Sequence, residues 1–186
     1  MLLALVIWLH MWQQAPPQPV PPTPAAPLTI MSFNIRMGIA NDGDNHWTKR
    51  REQLFALLRE QRADVIGLQE ALHFQLEEIV RAVPGYDWVG VGRSDGRRAG
   101  EYSAILFRTA RLTPRRSDTF WFSDTPTVPG SMSWGNRYER ICTWAYFEDR
   151  EGPAFYAYNV HLDHESQPSR ERSAELLMRV VAARDP

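Results

Sequence analysis

A single cysteine, Cys142, occurs in the chain of 186 residues, which excludes an internal disulfide framework and a multi-cysteine zinc site. Lysine is equally scarce, with Lys49 standing against 20 arginines. Neither charge sign is in excess: 21 basic residues face 22 acidic ones, for a net charge of −1. This balance argues against a nucleic-acid coat protein or a polybasic membrane binder. It does not exclude a phosphate substrate met by a local basic cluster or a metal. Arginine is the better planar fork for phosphate oxygens, although a genomic codon bias explains the arginine excess as well. The apolar run from Leu2 to Leu9 falls far short of the roughly 20 residues that span a bilayer. No internal repeat is present. An apolar fraction of 44% and a charged fraction of 23% exclude a disordered chain.

What is present divides the chain in three. Residues 1–14 form a hydrophobic segment that fits the core of a secretion signal. No Lys or Arg precedes its apolar run, and Ala15 and Ala26 are each followed by proline, which is awkward at a cleavage site. Half of the 14 prolines fall between Pro16 and Pro27, so residues 15–27 read as a semi-rigid extended linker. Export to the periplasm or the cell exterior is the expectation, with a transient membrane tether. A misassigned start codon would instead leave the protein cytoplasmic. The folded domain is expected over residues 28–186.

Within it, LTIMSFNIR (28–36) is rich in β-formers and predicts a strand. Thr48 can cap a helix running to about Glu60. DVIGLQ (64–69) has the pattern of a buried strand. Leu72, Leu76, Ile79, Val80 and Val83 follow helical spacing, which Pro84-Gly85 stops. Further strands are expected at 86–91, 102–108, 119–122, 140–148 and 153–162, with a turn at 149–152. A last helix is expected from about Pro168 to Ala183. Strands outnumber helices in the middle, so two packed sheets with helices outside fit better than an alternating parallel sheet. The loop 124–138 is near the upper length of structureless loops, and such loops are often functional.

Three polar residues sit in or beside apolar strands, where they are costly unless paired or coordinated. Asn34 can simply bond neighbouring backbone. Glu70 can cap the following helix. A lone His161 is more often a satisfied core histidine than a catalyst. Asn159, His161 and Asp163 alternate and so share a strand face. Asp163 can orient His161, approach a metal, or be a solvated strand end. Arg97, Arg98 and Arg140 are candidate phosphate clamps, and Trp134 can stack on a base or sugar or simply pack.

The combination is more specific than its parts. SFNIR, DVIGLQE, GEYSAILF and NVHLDH, in that order, resemble the endonuclease/exonuclease/phosphatase superfamily, the DNase I-like group. The segments DGDNHWTKRR, SDTPTVPGSMSWGN and RICTWA resemble a bacterial branch of it. The resemblance implies an α/β four-layer α-β-β-α sandwich and a Mg²⁺-dependent phosphoester or phosphodiester hydrolase, with Mn²⁺ as a substitute. It implies that Glu70 and Asn34 hold the metal or its water, that His161 contacts phosphate, and that Tyr102 faces the phosphate, core packing being the competing role for that tyrosine. Asn159, Asp163 and Arg140 are the candidate substrate contacts. Phosphorylated small molecules, lipid headgroups and nucleic acids remain open as substrates. A monomer without protein partners is expected.

The family's G-D-[FL]-N and S-D-H motifs do not occur; the G-D-N at Gly43–Asn45 is in the wrong place. The resemblance assigns a water-activating aspartate, a metal ligand and a histidine to those motifs. One positioned acid or base typically contributes about 10²–10⁴-fold, so an incomplete domain, with its C-terminal third lacking, is expected to have lost most activity. An inert fragment, or a module that binds phosphate ligands without turnover, is the rival reading. A glycosidase is weaker, since no second carboxylate can be placed opposite Glu70.

Overall fold

Alternating side chains in the strands set up the layers. The computed structural model describes residues 26–184, so the segment 1–14 and nearly all of the linker 15–27 lie outside the described residues. In β2 (Val65–Ala71), Ile66 and Leu68 face one way, into a core formed with α1 (Trp47–Gln61) and α2 (His73–Ala82). Val65 faces the other way and meets Ile105 and Phe107 of β4 (Tyr102–Arg108) and Ala145 and Phe147 of β6 (Ile141–Asp149). β2 pairs in parallel with β1 (Ile30–Asn34) and antiparallel with β4, and β4 pairs antiparallel with β3 (Tyr86–Val89). The first sheet therefore has the order β1-β2-β4-β3. The second sheet, all antiparallel, has β6 between β5 (Leu112–Trp121) and β7 (Phe155–Val160). Its outer face, with Phe120, Phe122, Cys142 and Trp144, is covered by Leu176 of α3 (Gln167–Ala182). The result is the four-layer α-β-β-α sandwich of the DNase I-like type.

Two local expectations are corrected, and the packing alternative for Trp134 is borne out. The α1 N-cap is His46, whose ring accepts from the Thr48 amide, and not Thr48. β5 begins at Leu112 rather than Thr119. Pro114 and the charged run after it disguise this strand. It lies at a sheet edge, where proline is tolerated, and its register shifts between Pro114 and Arg116. Trp134 packs with the α3 core, and its indole Nε1 donates to Asp124 Oδ1 at 2.8 Å.

Two polar ties hold opposite ends of the sandwich. Near the start of β2, buried Arg111 binds Asp149 at 2.8 Å, Asp64 at 3.0 Å and the Pro27 carbonyl at 2.8 Å. This anchors the chain where the domain begins. Between the sheets, Asn159 of β7 donates to the carbonyls of Leu68 and Ala104, both at 2.8 Å, and accepts from Gln69 Nε2 at 2.6 Å. A Cβ at residue 67 would lie 2.8 Å from Asn159 Oδ1, so this crossing explains the glycine in DVIGLQE. Asn159 is thus an inter-sheet staple with its amide fully engaged, and not a substrate contact. Asn159→Ala leaves two buried carbonyls and the Gln69 amide without their partner. It is expected to lower unfolding free energy by roughly 2–4 kcal/mol in urea denaturation.

Candidate active site

Glu70 interrupts the ladder of β2. A bulge falls between Gln69 and Ala71 where β2 pairs with β4, and Glu70 takes φ 62°, the left-handed region that costs a non-glycine residue about 1–2 kcal/mol. Bulges re-aim side chains. The α2 N-cap is Leu72, so Glu70 does not cap that helix. Its carboxylate turns toward Asn34 at the end of the parallel neighbour β1, and Asn34 Nδ2 donates to Glu70 Oε1 at 2.8 Å. Asn34 Oδ1 is occupied by the Arg36 amide at 2.9 Å. The asparagine therefore orients the glutamate. Glu70 Oε2 is buried and has no hydrogen-bond partner among the described residues; the Arg36 guanidinium lies 3.8 Å from it, an ion pair without a hydrogen bond.

Glu70 lines a cleft of about 590 Å³ with Arg36, Arg140, His161 and His164. Arg36 also has a positive φ, 58°, and pairs with Asp42 through two bonds of 3.0 Å. The carbonyl of Arg36 accepts from Gln75 Nε2, and Gln75 Oε1 accepts from the Gly38 amide, so α2 clamps this loop. Arg140 enters at the start of β6 and His161 follows β7. Burial, reinforced by the nearby Arg140 charge, holds the His161 imidazole below its ordinary pKa, against the pull of Glu70. Neutral His161 is therefore the form present near neutrality.

Asp163 lies beyond the end of β7, buried beneath Arg140, which it meets at 3.2 Å. Burial opposes its ionisation, but bonds from the Ser166 and Glu165 amides and from Arg140 outweigh it and hold the carboxyl below the usual range. Neither the metal approach nor the orientation of His161 foreseen for Asp163 describes this contact. His164 reaches the cleft because the strand has already ended.

Sequence patterns did not single out Arg93, Glu101 or Tyr138. Arg93 and Glu101 form a 2.7 Å ion pair on the cleft wall, and the Arg93 guanidinium lies 5.6 Å from the Tyr138 ring centroid. Burial pushes Glu101 above the ordinary carboxylate range, Arg93 opposes this, and Glu70 adds to it. The adjacent Tyr102 drew attention instead. Strand alternation sends Tyr102 to the helix side of the sheet. There its hydroxyl donates to the Arg97 carbonyl at 2.8 Å and lies 2.9 Å from His73 Nδ1. Burial raises its pKa to about 12. Tyr102 is a core residue and not a phosphate contact. Arg97 and Arg98 are exposed and do not line the cleft.

Among the described residues no group of three or more His, Cys, Asp or Glu side chains is arranged to hold a metal. A hard cation such as Mg²⁺ needs only one or two carboxylates, the rest being water and substrate oxygen. The buried Glu70 Oε2, free of hydrogen bonds and only loosely paired with Arg36 at 3.8 Å, suits that demand, with Asn34 fixing the other oxygen.

The profile described as the Endonuclease/Exonuclease/phosphatase family matches residues 31–186. A solved protein of that family from Bacteroides thetaiotaomicron is 34% identical, with TM-score 0.81, over 86% of this chain and 60% of its own. A mannosyl-6-phosphatase from the same organism is 35% identical, with TM-score 0.80, over 83% of this chain and 59% of its own. An uncharacterized protein of Acanthamoeba polyphaga mimivirus is 29% identical over 154 residues, 77% of this chain and 57% of that one. The chain thus spans about three fifths of the length of these relatives.

The lowered His161 pKa predicts an NMR titration midpoint below the free imidazole value of about 6.5, and Arg140→Ala should raise it by removing a repelling charge. The sign for stability follows from linkage. The unfolded chain binds the proton first, so His161's contribution is complete above about 6.5 and is lost as pH falls through the folded midpoint. A midpoint at or above 6.5 would contradict the described burial.

Proposed function

Since the chain belongs to the endonuclease/exonuclease/phosphatase family, we propose that the cleft binds a phosphate ester and serves its hydrolysis by water attack at phosphorus, with Mg²⁺ held at Glu70. The observation that carries this reading is the buried Glu70 Oε2, which accepts no hydrogen bond and meets only the Arg36 guanidinium at 3.8 Å, in one cleft with Arg140 and His161. When bound, the cation draws charge from the phosphoryl oxygens. Asn34 keeps the carboxylate turned into the cleft. Arg140 and neutral His161 are two donors for the oxygens on which negative charge grows, and donors fixed beforehand need no reorganisation as the reaction proceeds. Arg140 is buried and His161 partly so, which strengthens their pull.

The likeness to a mannosyl-6-phosphatase supports a phosphomonoester, a sugar phosphate in particular, ahead of long nucleic acid. The absence of net positive charge supports the same choice.

Phosphate release from mannose 6-phosphate and cleavage of bis(p-nitrophenyl) phosphate, each with Mg²⁺ and with EDTA, test the proposal. Metal-dependent turnover, faster on the monoester but weak because the G-D-[FL]-N and S-D-H motifs do not occur in the sequence, is expected. Glu70→Gln should lower it roughly 10²–10³-fold and abolish the rise in Tm that Mg²⁺ gives the unmutated chain. Unchanged turnover in Glu70→Gln would contradict the assignment, and phosphate binding without turnover would favour a binding module.

A further inference from the structure

Resting on the reading of the cleft as a phosphate site, we infer that Asp163 is a positioning residue that acts through Arg140, with His164 as its second arm. Arg140 lines the cleft, yet its side chain is only 3% exposed and that of Asp163 is 0% exposed. Arg140 Nε donates to Asp163 Oδ2 at 3.2 Å, and Arg140 Nη2 lies 2.7 Å from His164 Nδ1. Two of the three guanidinium nitrogens are thus engaged from the protein side. The fork keeps its in-plane orientation while the rest of it is left to the cleft.

The Asp163 carboxylate is itself fixed. Oδ1 accepts from the Glu165 amide at 2.9 Å and from the Ser166 amide at 2.7 Å. Ser166 is the N-cap of α3, and its side chain accepts from the Ser169 amide at 3.2 Å. The Asp163 carbonyl accepts from Arg170 Nη1 of α3 at 2.9 Å. A chain of bonds therefore runs from the first turn of α3 through one carboxylate to the guanidinium in the cleft.

A buried ion pair adds little net stability, because desolvation offsets the attraction. What this pair supplies is orientation. A guanidinium that must first be ordered by its ligand binds phosphate more weakly than one already held.

Asparagine at 163 keeps a carbonyl oxygen for the Glu165 and Ser166 amides and removes the negative charge facing Arg140. Isothermal titration of inorganic phosphate in the presence of Mg²⁺ is the readout, on the full chain and on Asp163→Asn, Arg140→Ala and the double variant. Asp163→Asn should weaken phosphate binding about tenfold in the unmutated background and less than about twofold in Arg140→Ala, since residues acting through one another are non-additive. A residue that merely supports the loop would weaken binding equally in both backgrounds, which would overturn the inference. So would no loss in Asp163→Asn with the unmutated chain binding normally. His164→Ala, at an exposed position, repeats the cycle should Asp163→Asn fail to fold. It is expected to lose affinity only where Arg140 is present, and an equal loss in both backgrounds overturns the inference. An unmutated chain that binds no phosphate would overturn the phosphate reading of the cleft, and this inference with it.

Discussion

The left-handed backbone at Glu70 is the constraint on which the site depends. A regular β2 would send residue 70 to the face opposite residue 69 and continue the ladder. The bulge instead turns the carboxylate toward the end of β1, where Asn34 receives it at 2.8 Å. Arg36, two residues beyond Asn34, has a positive φ as well. Two non-glycine residues in this region cost a few kcal/mol together. The buried Gln75 of α2 holds the second of them by bonding the backbone at Arg36 and Gly38. Strain at the cleft is thus carried by a helix and a paired strand that are well buried elsewhere.

The same organisation explains how a nearly neutral chain can meet phosphate. Each arginine on the cleft wall is paired with a carboxylate: Arg36 with Asp42 and, at 3.8 Å, Glu70, Arg93 with Glu101, and Arg140 with Asp163. The pairs fix the guanidinium planes more than they charge the cleft. In the proposed function the missing positive charge comes from the cation at Glu70. At the other end of the sandwich Arg111 with Asp64 and Asp149 uses the same pairing for anchorage alone. Surroundings, not residue type, separate the two uses, since Arg111 and Arg140 are both buried and only Arg140 lines the cleft.

The layers were legible because the short, near-continuous apolar runs of β2, β4 and β6 and the apolar faces of the helices are local signals. β5 was hidden because an edge strand can carry Pro114 and solvent-facing arginines without penalty. Glu70 and His161 were found through motifs at strand ends, where a polar residue follows an apolar run; Arg140, just before an apolar run, was found only as a candidate phosphate clamp. Tyr102 was misplaced by its neighbour: Glu101 faces the cleft, so the next residue of the strand faces the helices. Asn159 shares the parity of His161, but lies two residues deeper, where the other sheet meets it first. Arg93 and Glu101 lie in the connection between β3 and β4 and Tyr138 in the one before β6; their convergence is tertiary, and no spacing in the sequence encodes it.

The account's central claim is that Glu70, held by Asn34, is the seat of a hard cation beside the phosphate cleft. The most direct test is a crystal of the protein grown with Mn²⁺ and inorganic phosphate and measured at the manganese edge. The account predicts an anomalous peak at about 2.0–2.3 Å from Glu70 Oε2, with phosphate between it and the side chains of Arg140 and His161. Manganese bound elsewhere, or a cleft holding phosphate but no cation at Glu70, would contradict it.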